Sequence, residues 1–448
     1  MTTAEIQALD KAHVWHPFTP MAEWCAPEAA PLVIERAEGV WLYDTDGRRY
    51  FDGNSSIWTN LHGHRHPVIT AAIREQLDRV AHVSFLGTTH EPAARLAAEL
   101  VALFPPDTLS RVFFSDDGST AVECALRLAW QYWEWVGQPH RRTLIAFSGA
   151  YHGDTLGAAS LGGIPVFAGT AGRLGLPVRH IEDVDALDAL RPEEKRTVAA
   201  IIIEPLVQGA AGIRLWPAGL LRRLRAWCDA HDTLLIFDEV MTGFGRTGRL
   251  FAGDHEAVTP DFLCLAKGLT GGYSPLAATL TTRRVFQAFL GPATERRTFF
   301  YGHSYSGHPL GCAAALASLR LFRDHQVLEQ LAPKLRHLAT ALQHLRQRHP
   351  SLIRDVRQCG FIAGIEITPP TGHDPARRWG ADICLAARPL GLLTRPIHNT
   401  RILMPPLCTS IQELDFALAA LESAITRVLT PDATPGGFQL QPLPPEAL

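Results

Sequence analysis

Two ionisable side chains end apolar runs within residues 233–272, TLLIFDEVMTGFGRTGRLFAGDHEAVTPDFLCLAKGLTGG. Asp238 closes Leu234-Leu235-Ile236-Phe237, and Lys267 follows Phe262-Leu263-Cys264-Leu265-Ala266. A carboxylate at the end of a buried strand lies at the C-terminal edge of an open α/β sheet, where ligands are held. A lysine in the same position is costly unless it is neutral or bonded. The 42 basic residues include only four lysines, at 11, 195, 267 and 334. The bias towards arginine has therefore spared Lys267. Arginine carries a fixed charge, whereas a desolvated lysine can become a neutral amine and form an imine with a carbonyl. A lysine snorkelling from a strand end is the plainer alternative, but Asp238 upstream and the glycine-rich turn downstream favour chemistry.

Two other readings of this stretch fail. LLIFDE resembles an acidic ATPase strand, yet none of the four lysines precedes Ser or Thr as a phosphate-binding loop requires. Gly243-Phe-Gly245-Arg-Thr-Gly248 matches a dinucleotide fingerprint, but Arg249-Leu-Phe-Ala-Gly is a poor helix start.

Further candidates fall on strand ends and turns that precede helices. Arg111-Val-Phe-Phe114 leads through Ser115, Asp116, Asp117, Gly118 and Ser119 into a long helix containing Val122, Leu126, Ala129 and Trp133. Free N–H groups at such a helix start can cradle a phosphate, although Asp117 or Ser119 would also serve as an ordinary cap. The strand 143–147 runs to Tyr151 and His152, and an aromatic there can stack on a planar ring. The buried run 199–204 ends in Glu204. Phosphate cradle, aromatic, carboxylate and amine in this order suit pyridoxal 5′-phosphate, with Lys267 as the amine and Asp238 keeping the ring nitrogen protonated. His62, His64 and His66 alternate before Pro67. They read as a polar loop capping the helix that follows, and no metal site is expected.

The elements that must position these groups are legible in outline. Residues 32–52 read as a meander turning at Asp46-Gly47. Helical periodicity marks 68–81, 91–104, 218–230, 309–323, 326–349 and 375–389. Residues 276–281 read as a returning strand, 353–367 as further strands, 392–407 as a strand pair around Arg395 and Arg401, and Ser410-Ile-Gln-Glu413 as a capping box opening the last helix. The expected fold class is α/β: a mostly parallel central sheet flanked by helices, plus a smaller α+β domain. The boundaries expected are an N-terminal segment 1–60 joining the small domain, a large domain 61–325, a small domain 326–430 and a disordered tail 431–448. A formal charge of −3 gives no sign of nucleic-acid or membrane binding. The eight cysteines are scattered, without a C-x-x-C pair. The N-terminus does not read as a signal peptide, so a cytoplasmic location is expected.

The motifs SDDGSTAVE, GAYHGDT, IIIEPLVQGAAG, LLIFDEVMTGFGRTG and LCLAKGLTGG together resemble the class III aminotransferases of the fold-type-I pyridoxal-phosphate group, to about residue 429. WHPFTPM, DGNSSIWTNLHGH, ALRLAWQYW and RPIHNTRILMPPL resemble the members of that class that act in biotin synthesis. The resemblance implies that Lys267, Asp238 and Tyr151 are catalytic. It implies that Asp117, Gly118, Ser119, Tyr151, His152, Glu204, His303 and Ser304 surround the cofactor, with Asp117 contacting it through backbone. His303 and Ser304 would reach the site of the other subunit in a homodimer. Phe18, Ile57, Trp58, Tyr151, Lys267, Gly302 and Arg395 would meet substrate, Arg395 by pairing with a carboxylate. The implied reaction converts 8-amino-7-oxononanoate to 7,8-diaminononanoate with S-adenosylmethionine as amino donor. Phe18, Ile57 and His303 stand where users of that donor often carry Tyr, Trp and Pro, which makes L-lysine an alternative. A broader ω-amino-acid:pyruvate aminotransferase shares the cofactor motifs.

Overall fold

The computed structural model describes residues 1–168, 175–370 and 377–430, so the expected tail 431–448 lies outside the described residues. The strands in chain order are β1 (Ile34–Glu38), β2 (Trp41–Asp44), β3 (Arg49–Asp52), β4 (Leu109–Ser115), β5 (Thr143–Phe147), β6 (Val178–Ile181) and β7 (Val198–Ile203). Then come β8 (Val207–Gln208), β9 (Arg214–Leu215), β10 (Leu234–Asp238), β11 (Phe262–Leu265) and β12 (Ala277–Thr282). The last are β13 (Ile353–Cys359), β14 (Ile362–Ile367), β15 (Leu392–Leu393), β16 (Pro396–Ile397) and β17 (Thr400–Leu403).

Seven strands form the central sheet in the order β4-β12-β11-β10-β7-β5-β6. β7, β10 and β11 are buried along their whole length. Helices cover both faces, so these strands read as continuous apolar runs without alternation. Only β12 runs against its neighbours, pairing antiparallel with β11 and β4. It is the returning strand expected at 276–281. The helix Gly118–Trp135 buries Ala121, Val122, Ala125, Leu126, Ala129 and Trp133. Trp133 also donates from Nε1 to the Ala199 carbonyl at 2.9 Å, which ties the helix to β7.

A second, antiparallel sheet has the order β13-β14-β17-β16. The helix Ile411–Leu429 opens on the expected capping box, with Ser410 Oγ accepting from Glu413 N at 3.2 Å. The span 392–407 contains a strand pair, β16 with β17, which sets Pro396 opposite Arg401 and Ile397 opposite Thr400, but it also holds a third strand. β15 leaves to pair in parallel with β3, joining Leu392 to Phe51 and Leu393 to Asp52. The N-terminal meander is thereby hydrogen-bonded to a segment late in the chain. The helix expected at 375–389 is Trp379–Ala387 among the described residues. The helices not expected include Thr3–His13, capped by Thr2 and Glu5, and the shorter Leu156–Leu161, Pro192–Thr197 and Arg283–Ala288.

After β3 the chain makes a left-handed turn. Ser55, Ser56, Ile57 and Trp58 have φ of 46°, 48°, 66° and 73°. Trp58 N donates to the Asn54 carbonyl at 2.7 Å, and Thr59 N to the Ser55 carbonyl at 2.9 Å. L-residues resist this conformation by roughly 1–2 kcal/mol each, so neighbours must hold it. Asp52 accepts from Ser56 N and Oγ, both at 2.9 Å. Ser55 Oγ donates to the Met404 carbonyl at 2.6 Å, and Trp58 Nε1 to Asn54 Oδ1 at 2.8 Å.

Ile57 is β-branched, exposed, and left-handed in φ. Replacing it by glycine removes a steric penalty at the expense of the covered part of a side chain that is 45% exposed. Ile57→Gly is expected to stabilise the fold by about 1 kcal/mol, read as a higher denaturation midpoint in urea. An unchanged or lower midpoint contradicts the strain.

Candidate active site

β7, β10 and β11 are adjacent and parallel, with Phe237 opposite Ile203 and Asp238 opposite Cys264. Asp238, Glu204 just past β7, and Lys267 two residues past β11 therefore reach the same edge of the sheet. They line one cavity of about 470 Å³ together with Trp58, Tyr151, His152 and the helix start at Gly118.

Lys267 begins a short 3-10 turn with φ of 41°, a strained conformation for a residue with a side chain. Its Nζ lies 5.1 Å from the centre of the Trp58 ring. Burial lowers its pKa; Asp238 and Glu204 oppose this, and the Arg246 charge adds to the lowering. Among the described residues no acceptor is hydrogen-bonded to Nζ. The amine is thus poised towards its neutral, nucleophilic form.

Asp238 is only 5% exposed. Its Oδ2 lies 2.7 Å from His152 Nδ1, and its Oδ1 accepts from Val240 N at 3.1 Å. His152 Nε2 is buried without a partner. Glu204 accepts from Tyr151 N at 3.1 Å and Gly209 N at 3.0 Å. Burial still pushes its carboxyl up to about 7, with the His152 charge opposing and Asp238 adding. Tyr151 donates to Asp154 Oδ2 at 2.5 Å, and Asp154 N donates to Ser119 Oγ at 3.1 Å. These two bonds fix the aromatic ring relative to the helix start.

At that helix start, Asp117 is the cap: its Oδ1 accepts from Thr120 N at 3.0 Å. Gly118 is required by packing, since a Cβ there would come within 2.6 Å of Val240 Cγ1. His303 Nδ1 lies 2.8 Å from Asp116 Oδ2 of the same chain, and Asp116 lines the cavity. Gly302, Ser304 and Ile57 are exposed and do not line it. Phe18 touches the site indirectly. Its ring meets Phe167 at 5.9 Å, and Phe167 meets Tyr151 at 5.5 Å, both edge-on. Arg395 is partly buried, and its charge is felt at Tyr151. Among the described residues it has no carboxylate partner.

The three alternating histidines part company. His62 Nε2 meets Ser318 Oγ at 2.9 Å, His64 Nε2 meets Asp52 Oδ2 at 3.0 Å, and His66 caps the helix Pro67–Arg79. Among the described residues no cluster of His, Cys, Asp or Glu could hold a metal.

Two neighbours of the site went unread in the sequence. Phe167 carries no local signal. Arg246 lies within the GFGRTG turn, which was weighed as a nucleotide fingerprint and counted among the family motifs without a role for the arginine. It is fully buried, donating to the Pro405 carbonyl at 2.6 Å and the Asn60 carbonyl at 2.8 Å. Burial lowers its pKa to about 9.

The Aminotransferase class-III family profile matches residues 25–425. An adenosylmethionine-8-amino-7-oxononanoate aminotransferase from Nitratidesulfovibrio vulgaris is 45% identical, the match covering 99% of this chain and 86% of that protein. Its namesake from Geobacter sulfurreducens is 43% identical over 95% of this chain and 98% of its own. The crystal structure of the Methanocaldococcus jannaschii enzyme of that name superposes with a TM-score of 0.91 at 37% identity, covering 95% of this chain and 99% of that one. A PLP-bound amine transaminase from an uncultivated Pseudomonas species gives 0.87 at 36% identity, covering 93% and 98%.

Glu204 and Glu239 both titrate near 7 in the fold, against 4.5 for an ordinary glutamate. Glu239 is held by Ala252 N at 2.6 Å and Gly253 N at 3.0 Å. In both cases burial outweighs these bonds. The folded chain keeps protons that the unfolded chain has released between these values. Stability fully present below 4.5 is therefore lost as pH rises through 7. The unfolding midpoint is expected to fall between about pH 5 and 8, and Glu239→Gln to make the fall shallower. A midpoint rising over that range contradicts the assignment.

Proposed function

The chain belongs to the class-III aminotransferases, and from that premise we propose that it moves an amino group from S-adenosylmethionine to 8-amino-7-oxononanoate, yielding 7,8-diaminononanoate. It is a transaminase dependent on pyridoxal 5′-phosphate. The observation that carries the reading is an unbonded Lys267 amine sharing one cavity with the His152–Asp238 pair, in a chain 45% identical to a relative named for this reaction.

The residues fit the cofactor. Among the described residues His152 Nε2 is buried without a partner, and Lys267 lines the same cavity. When bound, pyridoxal phosphate supplies the electron sink for the carbon that loses its proton. Lys267 would hold its aldehyde, and as a free amine would carry a proton on Nζ between the amine-bearing carbon of the substrate and the aldehyde carbon of the cofactor. Asp238, oriented by His152, would keep the ring nitrogen protonated. Gly118 and Ser119 would offer N–H groups to the phosphate, Asp117 contributing backbone only, because its side chain is engaged as the helix cap. Tyr151, fixed by Asp154, would cover the ring. Trp58 and the Phe18–Phe167–Tyr151 file would exclude water from the apolar chain of the acceptor, and Arg395 would pair with its carboxylate.

Large exposed apolar side chains, Trp15 at 87%, Leu86 at 92% and Phe300 at 78%, support a homodimer in which Gly302, His303 and Ser304 lie near the partner's site. The biosynthetic relatives support a cytoplasmic location. No helix of the described residues is long and apolar enough to cross a membrane.

Purified enzyme loaded with cofactor is expected to form 7,8-diaminononanoate from the oxononanoate and S-adenosylmethionine, detected by mass. Product with L-lysine only, or turnover of β-alanine with pyruvate but not of the oxononanoate, overturns the reading. Arg395→Ala is expected to lower kcat/KM for the oxononanoate roughly 10- to 100-fold while leaving the absorption of the bound cofactor unchanged.

A further inference from the structure

We propose that the Asp117 carboxylate weakens the hold of this site on the phosphate of pyridoxal phosphate, so that the enzyme exchanges its cofactor instead of retaining it. The inference rests on the cofactor assignment above and concerns a residue type at one position. Asp117 stands at the N-cap of the helix whose first turn would receive the phosphate. Its carboxylate acts there in two ways. As an acceptor, it occupies Thr120 N at 3.0 Å, removing one of the first-turn N–H groups from any anion. As a charge, it already uses the positive end of the helix dipole that would otherwise favour the phosphate.

Little in the cavity offsets this. The lining includes the carboxylates Asp116, Asp117 and Asp238, and among the described lining residues the basic side chains are Lys267 and His152, the latter already 2.7 Å from Asp238 Oδ2. Asp116 meets His303 through Oδ2, leaving Oδ1 buried and unpartnered at the same end. Arg127, further along the helix, lies over the Tyr301 ring at 4.8 Å and forms no ion pair with Asp117 among the described residues. A phosphate bound here would lie beside the Asp117 carboxylate, which is exposed, so the repulsion between them is one that salt screens.

Asparagine caps helices as well as aspartate and keeps an acceptor oxygen, so Asp117→Asn removes the charge and preserves the cap. Serine, a second good cap of different shape, controls for local packing. The full-length enzyme would be loaded with pyridoxal phosphate, freed of excess by dialysis, and followed by cofactor absorption as it is diluted and titrated back. Both variants are expected to bind the cofactor roughly tenfold more tightly than the parent. Added sodium chloride should tighten binding in the parent by screening the repulsion, and do so much less in Asp117→Asn. Equal or weaker binding in both variants, at unchanged helical content, overturns the proposal. A parent enzyme that takes up no pyridoxal phosphate overturns the cofactor assignment itself, a result readily told apart from equal dissociation constants.

Discussion

The structure depends on holding an amine and two carboxylates at the edge of a sheet whose central strands β7, β10 and β11 are buried apolar runs. Each of these charges alone would be expelled or neutralised by burial. Together, Asp238 and Glu204 raise the pKa of Lys267, while burial and Arg246 lower it. The balance lowers the pKa of the amine, and among the described residues no hydrogen bond ties it up. Parallel pairing of β7, β10 and β11 makes this possible, because it brings three strand ends to one edge in fixed register.

Other parts of the chain serve that edge at a cost to their own stability. The turn Ser55–Trp58 is left-handed at four consecutive L-residues, and its bonds to Asp52, Asn54 and Met404 hold Trp58 over Lys267. Lys267 itself has a positive φ. Gly209 and Gly272 leave room for this arrangement: a Cβ on the first would meet Met241 Sδ at 2.5 Å, and on the second Asn60 backbone at 2.8 Å. Local strain concentrated around one amine is a common mark of a site whose geometry is set before ligand arrives.

The central sheet and its charged ends were legible in the sequence because buried parallel strands are unbroken apolar runs, against which Asp238, Glu204 and Lys267 stand out. The caps at Ser410 and at His66-Pro67 were legible from local chemistry alone. The helix Thr3–His13 was overlooked although Thr2 and Glu5 spell a capping box; it buries no residue, so it shows no apolar periodicity. The left-handed turn could not be read, because Ser-Ser-Ile-Trp carries no glycine to announce positive φ. The pair at 392–407 was legible as β16 and β17, but sequence does not reveal that Leu392 and Leu393 leave it to pair with β3. Phe167 owes its place beside Tyr151 to tertiary packing alone.

The central claim, that the Lys267 amine is the covalent attachment point for pyridoxal phosphate, is tested most directly by borohydride reduction of the loaded enzyme followed by peptide mass analysis. The account predicts a single phosphopyridoxyl adduct, carried by Lys267. An adduct confined to Lys11, Lys195 or Lys334, or no adduct on an enzyme that has taken up the cofactor, would contradict it.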